Sequence, residues 1–130
     1  MTQATDIEAL ADRLSASANA LHVQLMKAIR AGTPREQTQA LFDNEIALRT
    51  QADSLYLDAA HLAAAGLDAA QLQLLAVTER AQAAIDKINH FKDLLDFSAE
   101  LLSLAAAIAT GKPDHVLAPL EKIKHHLDAL

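Results

Sequence analysis

Cysteine and tryptophan are absent from the 130 residues. The first absence removes disulfide frameworks, thiolate metal sites and cysteine nucleophiles together. Glycine and proline occur three times each, too rarely for a loop-rich or collagen-like chain. Only four residues are aromatic, and Val and Ile together number 10, so the side chains that suit a pleated sheet are scarce. Positive charge is also short: 11 Lys and Arg stand against 17 Asp and Glu, a formal net charge of −6. That balance argues against a nucleic-acid binder, which needs a concentrated basic face. Long apolar runs are missing too. The longest, Leu101 to Ala109, is about half of the ~20 residues a helix needs to cross a bilayer, so no integral membrane segment is expected. The opening MTQATDIEAL lacks the basic and apolar regions of a secretory signal. A cytoplasmic location is the expectation, although a signal-less export route leaves no mark in composition.

What is present is Ala and Leu, which supply 51 of the 130 residues. Both are strong helix formers, and the expected class is all-α in one domain. Each glycine sits where a helix would stop, because Gly accepts the left-handed conformation that closes a helix end. Gly32 precedes Thr33-Pro34-Arg35-Glu36, which offers a cap hydroxyl, a proline for the first turn and a glutamate. After Gly66, Asp68 can cap and Gln71 can reach back, and Gly111 precedes Lys112-Pro113-Asp114. Thr5-Asp6-Ile7-Glu8 forms a fourth start signal. These marks predict helices over about 6–31, 34–65, 68–110 and 115–130. The expected architecture is an antiparallel bundle of three long helices plus a short C-terminal fourth. Pro119 predicts either a late start or a kink in that last helix.

Apolar residues recur at sevens: Ile7, Leu14, Leu21 and Ala28; Leu41, Leu48, Leu55 and Leu62; Leu67, Leu74, Ala81, Ile88, Leu95 and Leu102. The period of 3.5 predicts coiled-coil-like packing, and the short connections predict antiparallel successive helices. A continuous third helix would be on the order of 64 Å long against roughly 48 Å for the second, so its end would overhang. The alternative is a break near Asp96-Phe97-Ser98.

Constellations that could carry chemistry are sparse. Asp58 and His61 lie one helical turn apart, as do Asp86 and His90, but no third metal ligand can be placed beside either pair. A helix-borne histidine in a small bundle also suits histidine phosphotransfer domains, which carry a lysine three and a glycine four residues further on. His61 is followed there by Ala64 and Ala65, and His90 by Asp93 and Leu94, so that role is not assigned. His22, His125 and His126 fall away from the leucine stripes and are expected on the surface. Lys122 and Lys124 read as a solvated helix C-terminus, where cations suit the dipole. There is no Gly-rich phosphate loop and no nucleophile elbow. No catalytic, metal or cofactor site is assigned, and the chain is not expected to be an enzyme.

Two surfaces are candidates for partner binding. Phe42, Ile46, Arg49 and Tyr56 form a ridge beside the leucine stripe of the second helix, with residue types favoured at binding hot spots. The competing reading packs Phe42 and Ile46 on a neighbouring helix and pairs Arg49 with Glu45 one turn earlier. Leu94, Leu101 and Ile108 lie on the predicted overhang, more apolar surface than a short fourth helix covers, and exposed apolar patches meet partners. The expectation is a protein-binding helical module: an adaptor, a secretion-type chaperone or an immunity-like protein. It is expected to form a homodimer, or a partner complex, held by residues 94–108 with help from the fourth helix. The alternatives are an amphipathic lipid or granule-surface protein, to which the acidic polar faces and absent Trp are ill suited, and a helical-bundle enzyme with an unrecognised site.

Overall fold

The computed structural model describes residues 3–130 except Gly66, and for Asp68 and Ala69 the backbone only. The predicted Gly66 stop and the Asp68 cap side chain therefore lie outside the described residues. Those residues form helices and no strand: α1 (Ala4–Arg30), α2 (Arg35–Leu57), α3 (Ala59–Ala63), α4 (Asp68–Lys87), α5 (Phe91–Ala109) and α6 (Pro113–Ala129). The all-α class stands. The division into three long helices and a short fourth stands in part: α1 and α6 match the first and last predicted segments, but the second and third each divide in two.

The first start signal acts two residues earlier than expected. Gln3, not Thr5, is the N-cap, and its backbone N–H donates to the Asp6 carboxylate at 2.8 Å. Gly32 closes α1 as predicted, with φ +82°, while the Gly32 N–H reaches Ile29 O at 3.1 Å and the Thr33 N–H reaches Ala28 O at 3.0 Å. That paired pattern satisfies carbonyls a helix end leaves free. Proline does not stop α6: the helix begins at Pro113 and runs on through Pro119. Pro119 offers no N–H to the His115 carbonyl one turn earlier, but His115 is exposed and water can serve it.

α2 stops at Asp58, whose φ of −101° and ψ of 12° leave the helical region. Just before it, the Thr50 hydroxyl donates to Ile46 O and the Ser54 hydroxyl to Thr50 O, a back-bonding that favours bending. By turning at Asp58, α3 lays Ala59 and Leu62 over α1 and keeps them buried.

The second break falls at Ile88-Asn89-His90, upstream of the Asp96 alternative. Ile88 is extended at ψ 122°, and the carbonyls of Ile85 and Ile88 accept from the Gln24 amide of α1 at 2.7 and 3.3 Å. The energetics favour breaking. Folding α5 back buries Leu94, Phe97, Leu101, Leu104 and Ile108, about 7–15 kcal/mol at 1.5–3 kcal/mol per side chain. Losing about four helical hydrogen bonds costs only about 2–6 kcal/mol, part of which Gln24 restores.

Side-chain bonds give the helix directions. Asp12–Tyr56, Asn19–Arg49 and His22–Glu45 are the rungs of an antiparallel α1–α2 hairpin. Gln71 does not turn back to its own helix start; its amide donates to Asp6 O at 3.3 Å. That bond and the Gln24–Ile85 bond set α4 parallel to α1. α4 therefore runs antiparallel to α2, as expected, but the expectation that successive helices are neighbours fails for this pair. α3 carries the chain past α1, and α4 docks on α1's other flank instead of on α2. α5 packs on α2 and α6, and α6 on α5 and α4. The long helices thus close a ring in the order α1, α2, α5, α6, α4, around a core of leucines, alanines and the buried Phe97. Three of them start at the α3 end and two at the opposite end. Gly111, with φ +70°, turns the chain beside α3, where an added Cβ would meet Leu62 Cδ2 at 3.2 Å and Ala65 Cβ at 3.3 Å.

Candidate surface on the outer face of the first helical hairpin

The ring consumes one of the two expected binding surfaces. Leu94, Leu101 and Ile108 are buried in the core, against α2 and α6. No overhang exists because the helix that would have overhung folds back at 88–90. A dimer formed through Leu94, Leu101 and Ile108 themselves would have to open the core.

The α2 ridge divides by chemistry. Phe42 and Ile46 remain exposed, whereas Arg49 and Tyr56 are tied to α1. Arg49 donates from Nε to Glu45 Oε2 at 3.0 Å and from Nη1 to Asn19 Oδ1 at 2.8 Å. Glu45 is only 3% exposed, and its other oxygen sits 3.1 Å from His22 Nδ1. A buried carboxylate held on both oxygens is a strut between α1 and α2; unpaired it would be costly. The Tyr56 hydroxyl bonds Asp12, and burial together with that carboxylate raises the tyrosine pKa above its ordinary value. These residues hold the hairpin together; Tyr56 stays 38% exposed beside its bond to Asp12, and Phe42 and Ile46 are the exposed members of the ridge with no polar tie.

Across the seam, α1 contributes three residues that were not singled out from the sequence: Val23, Met26 and Ile29. With Phe42 and Ile46 they are 37 to 51% exposed. Met26, Ile29 and Phe42 meet in a groove of about 400 Å³, whose floor includes Leu25 and whose rim includes Thr38 and Arg35. The signal was available. Val23, Met26 and Ile29 are spaced by threes off the stripe Ile7-Leu14-Leu21-Ala28, so their apolar character was not needed by the core. The other large exposed apolar residues, Leu57, Leu72, Leu117 and Leu130, lie on other helices or at the end of the bundle.

The polar constellations stay apart. Asp58 is exposed at the α2–α3 junction and His61 is exposed on α3; Asp86 and His90 are exposed at the end of α4 and in the following link. Among the described residues no group of three or more His, Cys, Asp or Glu could hold a metal ion. His126 departs from its expected surface position. It is half-buried, with Nδ1 2.6 Å from Glu100 Oε2 and its ring edge-on to Phe97 at 5.2 Å and 89°. It latches α6 to α5 and needs no chemical role to account for its place. Lys122 and His125 stay exposed, and Lys124 makes a long 3.7 Å pair with Glu121. No helix among the described residues is long and apolar enough to cross a membrane.

Set against known proteins, the chain matches no protein-family model, no curated protein and no solved structure.

Proposed function

We propose that this chain is a non-enzymatic, protein-binding helical module whose binding face is the outer surface of the α1–α2 hairpin. The observation that carries the reading is the groove between Met26, Ile29 and Phe42, with Val23 and Ile46 exposed on the same two helices. A contiguous apolar surface with no structural duty marks a contact site. The rigid seam beneath it supports the same reading, because Glu45, Arg49, Asn19 and His22 fix the two helices relative to each other. A preformed surface binds without a large ordering cost. The buried carboxylate is spent on this strut, which disfavours it as a catalytic base. The lipid-surface alternative fares worse, since the leucine stripes it would lay on an interface fill the closed ring. The adaptor, secretion-type chaperone and immunity-like roles all share this surface requirement. A second copy of the chain remains an occupant to test, now at the hairpin and not at residues 94–108.

The test is a double substitution, Phe42→Asp with Ile46→Asp, in the full chain. Both side chains are exposed, so helicity and melting should hold. An apolar probe dye that brightens on the wild type should brighten much less on the variant, and proteins co-purifying with the wild type from the source cell should be lost. Equal dye binding and equal co-purification would remove the hairpin face from consideration.

A further inference from the structure

The charges around the groove say what kind of chain fits it. Arg35 lines the groove. Arg30 lies four residues beyond Met26 and seven beyond Val23, which puts it on the same face of α1. Both arginines are exposed, and neither takes part in an ion pair among the described residues, where Arg49, Arg80 and Lys124 do. The acids in the same stretch of α2 are Glu36, Asp43 and Glu45; Asp43 already accepts the Gln39 amide at 2.9 Å, and Glu45 is held by Arg49 and His22. In a protein of net charge −6, two free guanidinium groups beside the main apolar patch form a local exception. Lys27 and Lys87 end neighbouring helices at the same end of the bundle.

Resting on the protein-binding reading above, we propose that the groove receives an acidic amphipathic helix of a partner protein, with apolar side chains seated between Met26, Ile29 and Phe42 and carboxylates facing Arg30 and Arg35. The patch spans two turns of α1 and little more than one of α2, which fits a short helix presenting anchors at i, i+4 and i+7. A second copy of this chain is the poorer occupant. A two-fold contact sets this patch against its own twin, and among the described residues no acidic side chain lines the groove to answer Arg30 and Arg35. An anionic membrane would suit the arginines, but the apolar side chains flank a recess between two helices, whereas membrane-bound helices project theirs outward.

The test uses two labelled synthetic helices that share one pattern of leucines at i, i+4, i+7 and i+11. One carries Glu at its flanking positions and the other carries Lys. Fluorescence anisotropy with the full-length protein should give saturable binding of the Glu peptide, at least about tenfold tighter than the Lys peptide, a difference of about 1.4 kcal/mol. Arg30→Glu with Arg35→Glu should reverse that order, and Phe42→Asp with Ile46→Asp should abolish binding of both, with circular dichroism unchanged in each variant. Equal binding of both peptides, lost in the Phe42/Ile46 variant, would overturn the acidic partner and leave the apolar binding face standing. Failure of both peptides to bind would overturn the proposal. So would sedimentation of phosphatidylglycerol vesicles with the protein in the absence of peptide binding, or a wild-type dimer that dissociates on Phe42→Asp with Ile46→Asp.

Discussion

Leu101 and Leu102 are adjacent in sequence, yet Leu101 is fully buried inside the ring while Leu102 is half-buried at its margin. Leu101→Ala removes branched carbon from a closed, well-packed site, a change that costs about 2–5 kcal/mol once the cavity left behind is included. Leu102→Ala, or Leu95→Ala one heptad earlier, takes away atoms already partly in contact with water and should cost about 1.5 kcal/mol or less. Against a total stability of about 5–15 kcal/mol, the first loss is large and the others are modest. With a urea slope of about 1–3 kcal/mol per molar, the unfolding midpoint of Leu101→Ala should fall by about 1–3 M. Equilibrium urea unfolding, followed by far-ultraviolet circular dichroism, separates the two cases. The refuting result is specific. If Leu95→Ala and Leu102→Ala cost as much as Leu94→Ala and Leu101→Ala, the buried stripe continues unshifted from Leu67 through Leu102. The break at 88–90, with its change of register, would then be wrong.

The two left-handed glycines form a second experiment with its own control. Gly32→Ala meets open space and should lose only the cost of the backbone conformation, about 1–2 kcal/mol. Gly111→Ala adds crowding of Leu62 and Ala65, worth about 1–3 kcal/mol more; thermal melts showing Gly111→Ala no worse than Gly32→Ala would contradict the close approach of α3. Tyr56 gives a pH signature. Its pKa is raised in the folded chain, so the folded state keeps the phenol proton longer than the unfolded state does. The stability this contributes is complete below the ordinary tyrosine value of about 10 and declines as pH rises through the folded value. Urea unfolding from pH 8 to about 11 should show a steeper fall for the wild type than for Tyr56→Phe, and parallel curves would refute the linkage.

The sequence made the helical class and the core faces legible because Leu and Ala carry both signals at once. Nearly every predicted heptad position of α1, α2 and α4 is buried. The same property hid the breaks. Leu-rich sequence supplies an apolar stripe at almost any register, so the series Leu67 to Leu102 reads through residues 88–90 without a gap, while the true core line advances by one residue to Leu94 and Leu101. Nothing local marks the break, as no glycine or proline lies there. Its stabilising partners, Gln24 of α1 and the core that α5 completes, are distant in sequence. Asp58 is similar: hydroxyls at Thr50 and Ser54 hint at a bend, but the contacts that α3 makes with α1 after it are distant in sequence. On the binding face, Phe42 and Ile46 were legible as a ridge off the stripe. Val23, Met26 and Ile29 become part of the same surface only once the α1–α2 pairing is known.

The unequal division of helix directions makes the molecule electrically lopsided. Three helices set their N-termini at the α3 end and two oppose them, so the backbone leaves an uncompensated helix dipole, about half a positive charge at that end. Side chains overrule it. Asp6 and Asp114 occupy the first turns of α1 and α6 at the α3 end, while at the other Lys27 and Arg30 of α1 and Lys87 of α4 outnumber Glu36 and Asp93 in the first turns of α2 and α5. Whole charges outweigh the half charge of the backbone. An anionic partner of the kind proposed would therefore feel a torque before it feels a contact, turned away from the α3 pole and toward the mouth of the hairpin. Such steering raises the rate of productive encounter without adding a single interaction to the bound state, and it fades as salt shortens the reach of charge to about 8 Å at physiological ionic strength.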